Sequence, residues 1–150
     1  MIKLTFCLKR LPHLSREEFQ AYWRDKHAPL VKQHAGVLKI ARYVQSHSFP
    51  EDASSPLAQV RGSAGQDYDG VAELWWNDMG SFASAGMTAE GQEAGRALLE
   101  DEARFIDLPN SPIFLVNEND VIGLDSGRGY GMGTKFHNSP VRSCNSPASP

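Results

Sequence analysis

The run Ser15-Arg16-Glu17-Glu18-Phe19-Gln20-Ala21-Tyr22-Trp23-Arg24-Asp25-Lys26-His27-Ala28-Pro29-Leu30 decides the fold. Ser15 with Glu18 three residues on makes a capping box, each side chain accepting the other residue's backbone N–H, so a helix starts here. Such a cap is worth about 1 kcal/mol. Phe19, Tyr22, Trp23, Lys26 and Leu30 recur at helical spacing and set an aromatic stripe on the inward face. Pro29 disfavours helical geometry at Ala28 and has no N–H for the Asp25 carbonyl, which predicts a kink or a stop. One further turn is expected to His34 before Gly36 breaks the helix.

Upstream, Ile2, Leu4, Phe6 and Leu8 alternate with Lys3, Thr5, Cys7 and Lys9, the period of a strand with one face in a core. Pro12 ends it. Downstream, Val37–His47 reads as a second strand of mixed periodicity. Residues 48–67 are rich in Ser, Pro, Gly and Ala, and Phe49–Gln66 reads as a long inserted loop. Tyr68–Trp76 is the third strand. Asn77 or Asp78 caps a short helix through Phe82, and Thr88 caps a longer one to about Phe105, with Leu98, Leu99, Phe105 and Ile106 on its apolar face. Pro109 and Pro112 bound a turn before the fourth strand, Ile113–Val116. The order predicts an α+β fold: a ferredoxin-like βαββαβ unit, a four-stranded antiparallel sheet with helices on one face. The open face would carry Trp75 beside Thr5 and Glu73 and would need a cover. A second copy, sheet against sheet, is the simplest one.

At 150 residues the chain is one domain in size, expected to span 1–122, followed by a Gly/Ser/Pro-rich tail over 123–150. Gly127, Gly129, Gly131 and Gly133 alternate in that tail. They lack the strand-to-helix context of a phosphate loop, and Thr134-Lys135 reverses its Lys-Ser/Thr order. A flexible or partner-embracing tail is expected instead. A net charge of −3, with 15 basic and 18 acidic residues dispersed, offers no basic stripe for nucleic acid or an anionic membrane. No run approaches the roughly 18 apolar residues of a membrane helix. Cys7 and Cys144 lie far apart as lone thiols, which fits a reducing cytoplasm. Neither nucleic acid nor membrane is expected as a partner.

His27 falls about 80° from the stripe's centre at Phe19, counting about 100° per residue, at the edge of the buried face. An imidazole with an ordinary pKa of about 6.5 can exchange protons there while meeting water; it can equally cap helix-end carbonyls. Lys26 points near the stripe's centre and is expected to snorkel out. Glu73 shares a strand face with Val71 and Trp75. In a partly dry cavity its pKa would rise and it could pair with His27; otherwise it pairs with Lys3 or Lys9 across the sheet. Tyr43, Gln45 and His47 share a parity as possible walls. Trp75 offers a flat surface for an aromatic ligand, or is core filler. Cys7 has nothing near it in sequence to lower its pKa. The histidines at 13, 27, 34, 47 and 137 show no HxH or HExxH spacing, so no metal site is expected.

Tyr22-Trp23-Arg24-Asp25-Lys26-His27-Ala28-Pro29-Leu30-Val31, about twenty residues after a short strand, resembles the EthD family. So do Tyr68-Asp69-Gly70-Val71-Ala72-Glu73-Leu74-Trp75 and Asp101-Glu102-Ala103-Arg104-Phe105-Ile106-Asp107, and the likeness spans roughly residues 1–120. It implies a dimeric α+β barrel in which each unit encloses a cavity. Family members similar to fungal polyketide-pathway enzymes act without cofactors as decarboxylases, dehydratases or oxygenases on aromatic intermediates. The expectation is then a cofactor-independent enzyme transferring a proton on a small hydrophobic, aromatic or cyclic compound. His27 and Glu73 would be its catalytic residues, with Tyr22, Tyr43, Trp75 and Thr5 binding substrate. Two alternatives stay open: a non-catalytic small-molecule-binding accessory protein of a degradation pathway, and an oxidoreductase holding haem on one axial histidine.

Overall fold

A computed structural model describes residues 1–50, 56–63 and 68–122. The expectations for residues 51–55 and 64–67 of the inserted loop, and for the 123–150 tail, fall outside the described residues. The chain divides into two units, Met1–Asn119 and Asp120–Pro150. Every element below belongs to the first.

Strands β1 (Ile2–Leu8), β2 (Arg42–His47), β3 (Gly70–Trp76) and β4 (Ile113–Val116) form one sheet in the order β2-β3-β1-β4. Every neighbouring pair is antiparallel. That is the ferredoxin-like split βαβ arrangement, and the four-stranded α+β fold predicted from the pattern is the one observed. Helices α1 (Arg16–Tyr22) and α2 (Ala28–His34), joined by a π-helical turn over Trp23–His27, cross one face. Helices α3 (Met79–Ala85) and α4 (Ala89–Glu102) follow β3. Between β2 and β3, residues 56–59 make a single helical turn.

The capping chemistry is as the sequence predicts. Ser15 and Glu18 close the capping box on α1. Asp78 accepts the Ser81 N–H at the start of α3, and Thr88 accepts that of Gly91 at the start of α4. The residues of even number in β1 (Leu4, Phe6, Leu8) and β3 (Ala72, Leu74, Trp76) face the helices. Phe6, Leu8 and Ala72 pack there with Phe19, Trp23, Phe105 and Ile106. Gly70 is required by that packing, because a Cβ on it would stand 2.5 Å from Trp23 Cζ3 and 2.8 Å from the Ser46 carbonyl oxygen.

Several details differ from expectation, among them the end of α3, which runs to Ala85 instead of Phe82. Residues 37–41 are not strand, because α2 ends in a Schellman motif. The Ile40 N–H reaches the Ala35 carbonyl at 2.9 Å and the Lys39 N–H that of Gly36 at 3.2 Å, with Lys39 in the left-handed region at φ 56°. The third strand starts at Gly70, after Asp69 has turned to bond the Arg10 backbone N–H and guanidinium. Leu99, assigned to the apolar face of α4, is 54% exposed, whereas Gly91 and Ala94 are the buried residues of that helix.

Candidate functional site

The π-helical turn governs the site. Pro29 leaves the Asp25 carbonyl without its i+4 donor, and the Ala28 N–H bonds the Trp23 carbonyl five residues back. Each residue of a π turn advances by less than the 100° or so of an α-helix. Across Trp23–His27 the lag swings His27 from the edge of the stripe back over Phe19. Lys26 is carried out to solvent by the same rotation, so it has no need to snorkel. His27 is 4% exposed, with its ring 5.2 Å from that of Phe105. The water-edge position expected for it is therefore corrected: it faces the interior.

Asp101, at the C-terminal end of α4, anchors that ring. Its Oδ2 lies 2.8 Å from His27 Nδ1, and its Oδ1 accepts the Tyr22 hydroxyl at 2.7 Å. With an ionised Asp101, Nδ1 carries the hydrogen and Nε2 keeps the lone pair. Burial pushes the His27 pKa below its ordinary value, and the Asp101 carboxylate opposes the shift without cancelling it. The imidazole is thus neutral near pH 7.

His27 lines a cavity of about 100 Å³ between sheet and helices, walled by Phe6, Leu8, Trp23, Ala72 and Ile106. Two further polar side chains reach it, Tyr43 and Glu102. The Tyr43 hydroxyl accepts from Trp23 Nε1 at 2.9 Å and from Gln45 Nε2 at 3.0 Å. Its own hydrogen has no protein acceptor among the described residues. Burial raises the Tyr43 pKa, so the group stays protonated. Glu102 makes no ion pair among the described residues. Desolvation, followed by the neighbouring Asp101 charge, pushes its carboxyl up to about 7. A base, a phenol and a carboxylic acid that titrates near neutrality therefore surround one apolar space.

A second, larger cavity of about 450 Å³ adjoins the first and shares Leu4, Leu74 and Leu98 with it as lining. Leu38, Ile40, Trp76 and Phe82 extend its walls. The helix α4 runs beside both. Gly95, in the middle of that helix, costs it about 1 kcal/mol relative to Ala.

The sheet separates the expected site residues into two sets. His27, Tyr22 and Tyr43 lie on the helix side. Glu73, Trp75 and Thr5 lie on the opposite, open face, with Thr5 paired to Glu73 in register. Glu73 does not meet His27: it ion-pairs with Lys3 at 2.9 Å, the cross-sheet alternative. Trp75 is held between the side chains of its own chain, with Arg42 4.5 Å and Lys3 5.2 Å from its rings and Nε1 donating to Glu118 at 2.7 Å. Tyr22 reaches Asp101 and contributes by holding it. Asp101 and Glu102 are the site residues that sequence reasoning passed over, although both stand in the third quoted motif. Among the described residues no group of three or more His, Cys, Asp or Glu is placed to hold a metal ion, and no helix is long and apolar enough to cross a membrane.

The fold and this helix-side pocket define a ferredoxin-like α+β domain. The EthD domain model matches residues 11–109, and the chain belongs to the EthD family. Comparison with curated proteins found no match. Among solved structures, an EthD family protein from Bacillus halodurans C-125 is 18% identical. The match covers 79% of this chain and 99% of that one, with a TM-score of 0.53. An EthD-like protein from Ralstonia eutropha JMP134 is 19% identical over 83% and 95% of the two chains, at 0.50. HapK from Hahella chejuensis is 10% identical over 85% and 100%, at 0.52. At these identities the likeness is one of fold.

Proposed function

We propose that this domain is a cofactor-independent enzyme that moves a proton on a small hydrophobic, aromatic or cyclic compound held between its sheet and its helices. One observation carries the reading: His27, anchored by Asp101, shares an apolar pocket with Glu102, whose carboxyl titrates at about 7. Groups with pKa values near the working pH are those that general acid–base catalysis uses, typically for about 10²- to 10⁴-fold in rate.

Neutral His27 takes a proton at Nε2 from a carbon beside a carbonyl, or from a phenolic hydroxyl. The electron pair moves onto the substrate oxygen, which accepts hydrogen bonds from the Tyr43 hydroxyl and from protonated Glu102. Asp101 balances the imidazolium that forms. The imidazolium then returns the proton to another atom of the substrate in isomerisation, or gives it to a departing hydroxide to form water in dehydration. In decarboxylation, where CO₂ departs and leaves its bonding pair on the substrate, the imidazolium delivers the proton to that carbon. The apolar walls strengthen each of these interactions by excluding water.

Exchange of carbon-bound hydrogen for deuterium, followed by NMR over a panel of aromatic ketones in D₂O, tests the proposal. Wild type accelerates exchange for at least one compound, and His27→Ala loses the acceleration with its circular dichroism unchanged. Undiminished exchange in His27→Ala overturns the role of His27. Ligand-induced stabilisation without exchange of any compound favours a non-catalytic binding protein. A Soret band on haem titration that disappears when one histidine is replaced favours a haem-dependent oxidoreductase instead.

A homodimer through the open sheet face belongs to the same proposal. Phe114 lies there 49% exposed, opposite Thr5 in register, among the half-buried Val44, Val71 and Val116. A second copy would cover this patch, and closed twofold pairs are the commonest oligomers.

A further inference from the structure

Gly91, Gly95, Leu98 and Glu102 stand at i, i+4, i+7 and i+11 on α4 and so share one face of it. That face follows the whole apolar space: Gly91 and Gly95 line the larger cavity, Leu98 lines both, and Glu102 lines the pocket of His27. At 1.5 Å per residue the stripe is roughly 16 Å long, of which roughly 10 Å lies between Gly91 and Leu98. The two glycines differ. A Cβ on Gly91 would meet the Ala85 carbonyl oxygen at 1.8 Å, so close helix packing requires that glycine. At Gly95 a Cβ would meet nothing within 4 Å, and φ lies outside the left-handed region. Neither packing nor backbone geometry calls for a glycine in the interior of this helix. What its missing side chain leaves is open space in the cavity wall.

Resting on the proton-transfer reading for the head group, we infer that Gly95 determines substrate specificity. It keeps open a channel for the apolar body of an elongated substrate whose phenolic or ketonic end reacts at His27. The occupant is one molecule with a compact polar head and an alkyl chain or fused ring of about 10 Å behind it. The two cavities adjoin at Leu4, Leu74 and Leu98, the side chains that the substrate's body would pass, and the lining beyond them is almost wholly hydrocarbon. A side chain at Gly95 projects into that path without touching the backbone of another element.

The test uses 4-alkylphenols from phenol to 4-octylphenol, with dissociation constants measured calorimetrically on the full chain. In wild type, affinity rises about fourfold per methylene as the chain lengthens. Gly95→Phe weakens octylphenol at least tenfold more than phenol, and Gly95→Leu reproduces the effect should the bulkier residue fold poorly by circular dichroism. Gly95→Ala keeps most of the length dependence. A length dependence left intact by both large residues overturns the channel, and so does its absence in wild type or a failure of octylphenol to bind. A normal length dependence with exchange unaffected by His27→Ala overturns the proton-transfer reading alone and leaves the channel standing.

Discussion

Asp101 joins two residues of the first helical segment at once: its Oδ2 lies 2.8 Å from His27 Nδ1 and its Oδ1 2.7 Å from the Tyr22 hydroxyl. The contact spans 74 residues of sequence and ties the π turn to the end of α4. Asp101→Asn removes the acceptor that keeps hydrogen on Nδ1, so His27 loses its preference for the tautomer with a free Nε2. Catalysed exchange is expected to fall roughly 10²-fold, within the range of general-base contributions. Tyr22→Phe leaves that tautomer in place and is expected to cost about 1 kcal/mol of stability with a smaller loss of rate. Urea unfolding and the exchange assay separate the two variants. Equal rates in both would place no weight on the His27–Asp101 bond.

Glu102 predicts a pH dependence of opposite sign to that of an ordinary carboxylate. Its carboxyl is raised from 4.5 to about 7 in the folded chain, so the folded state holds a proton that the unfolded state has released. The stabilisation is complete below about pH 4.5 and is lost as pH rises to 7, with an upper bound on the order of 3 kcal/mol. Glu102→Gln is expected to flatten that slope and to be the more stable protein at pH 8. In kinetics, His27 needs to be neutral and Glu102 protonated. The exchange rate therefore rises with pH through the lowered pKa of His27 and falls again near 7, and Glu102→Gln removes the falling limb. Asp101→Asn, by deleting the neighbouring charge, moves that limb to lower pH. Thermal melts from pH 4 to 9 and the exchange profile check these signs.

Strand periodicity and capping signals made the fold legible, because they are local. Ser15, Asp78 and Thr88 cap as their side chains dictate, and β4 spans the four residues between Pro112 and the polar run that follows. The start of β2 was not legible. A lysine, not a glycine, takes the left-handed position that ends α2, and nothing in Val37–Ala41 announces it. Helical counting at about 100° per residue put Lys26 inside and His27 at the rim. Pro29 was the visible signal that this counting fails, but a proline indicates a break without telling which way the chain rotates. Asp101 and Glu102 matter through contacts that sequence spacing cannot reveal. Glu73 had two equally plausible partners in sequence, and strand pairing joined it to Lys3.

Gly70 gives a sharp packing prediction. Its missing Cβ is the space occupied by the Trp23 ring, and the Ser46 carbonyl closes the other side. Neither neighbour can retreat easily, because Trp23 is 1% exposed and Ser46 belongs to β2. Gly70→Ala is expected to destabilise by about 1–3 kcal/mol, the usual range for overpacking. Trp23 also holds Tyr43 through its indole N–H, so the substitution should weaken exchange as well as lower the urea midpoint. A variant with unchanged stability would mean that the ring and strand shift together at little cost.

Phe114 tests the dimer without touching the pocket. It lies on the face away from His27, opposite Thr5, and half of its side chain is already in contact with solvent in the single chain. Phe114→Glu removes little from the monomer's core, so its circular dichroism and its fold should be retained. Against a second sheet, the same change sets a carboxylate in an apolar seam, and twofold symmetry does so twice. An unpaired charge buried in this way costs several kcal/mol, enough to raise a micromolar dissociation constant by orders of magnitude. Light scattering at micromolar concentration should give a dimer for wild type and a monomer of 16.5 kDa for the variant. A monomeric wild type would remove the homodimer, while a variant that stays dimeric would move the interface off the open face of the sheet.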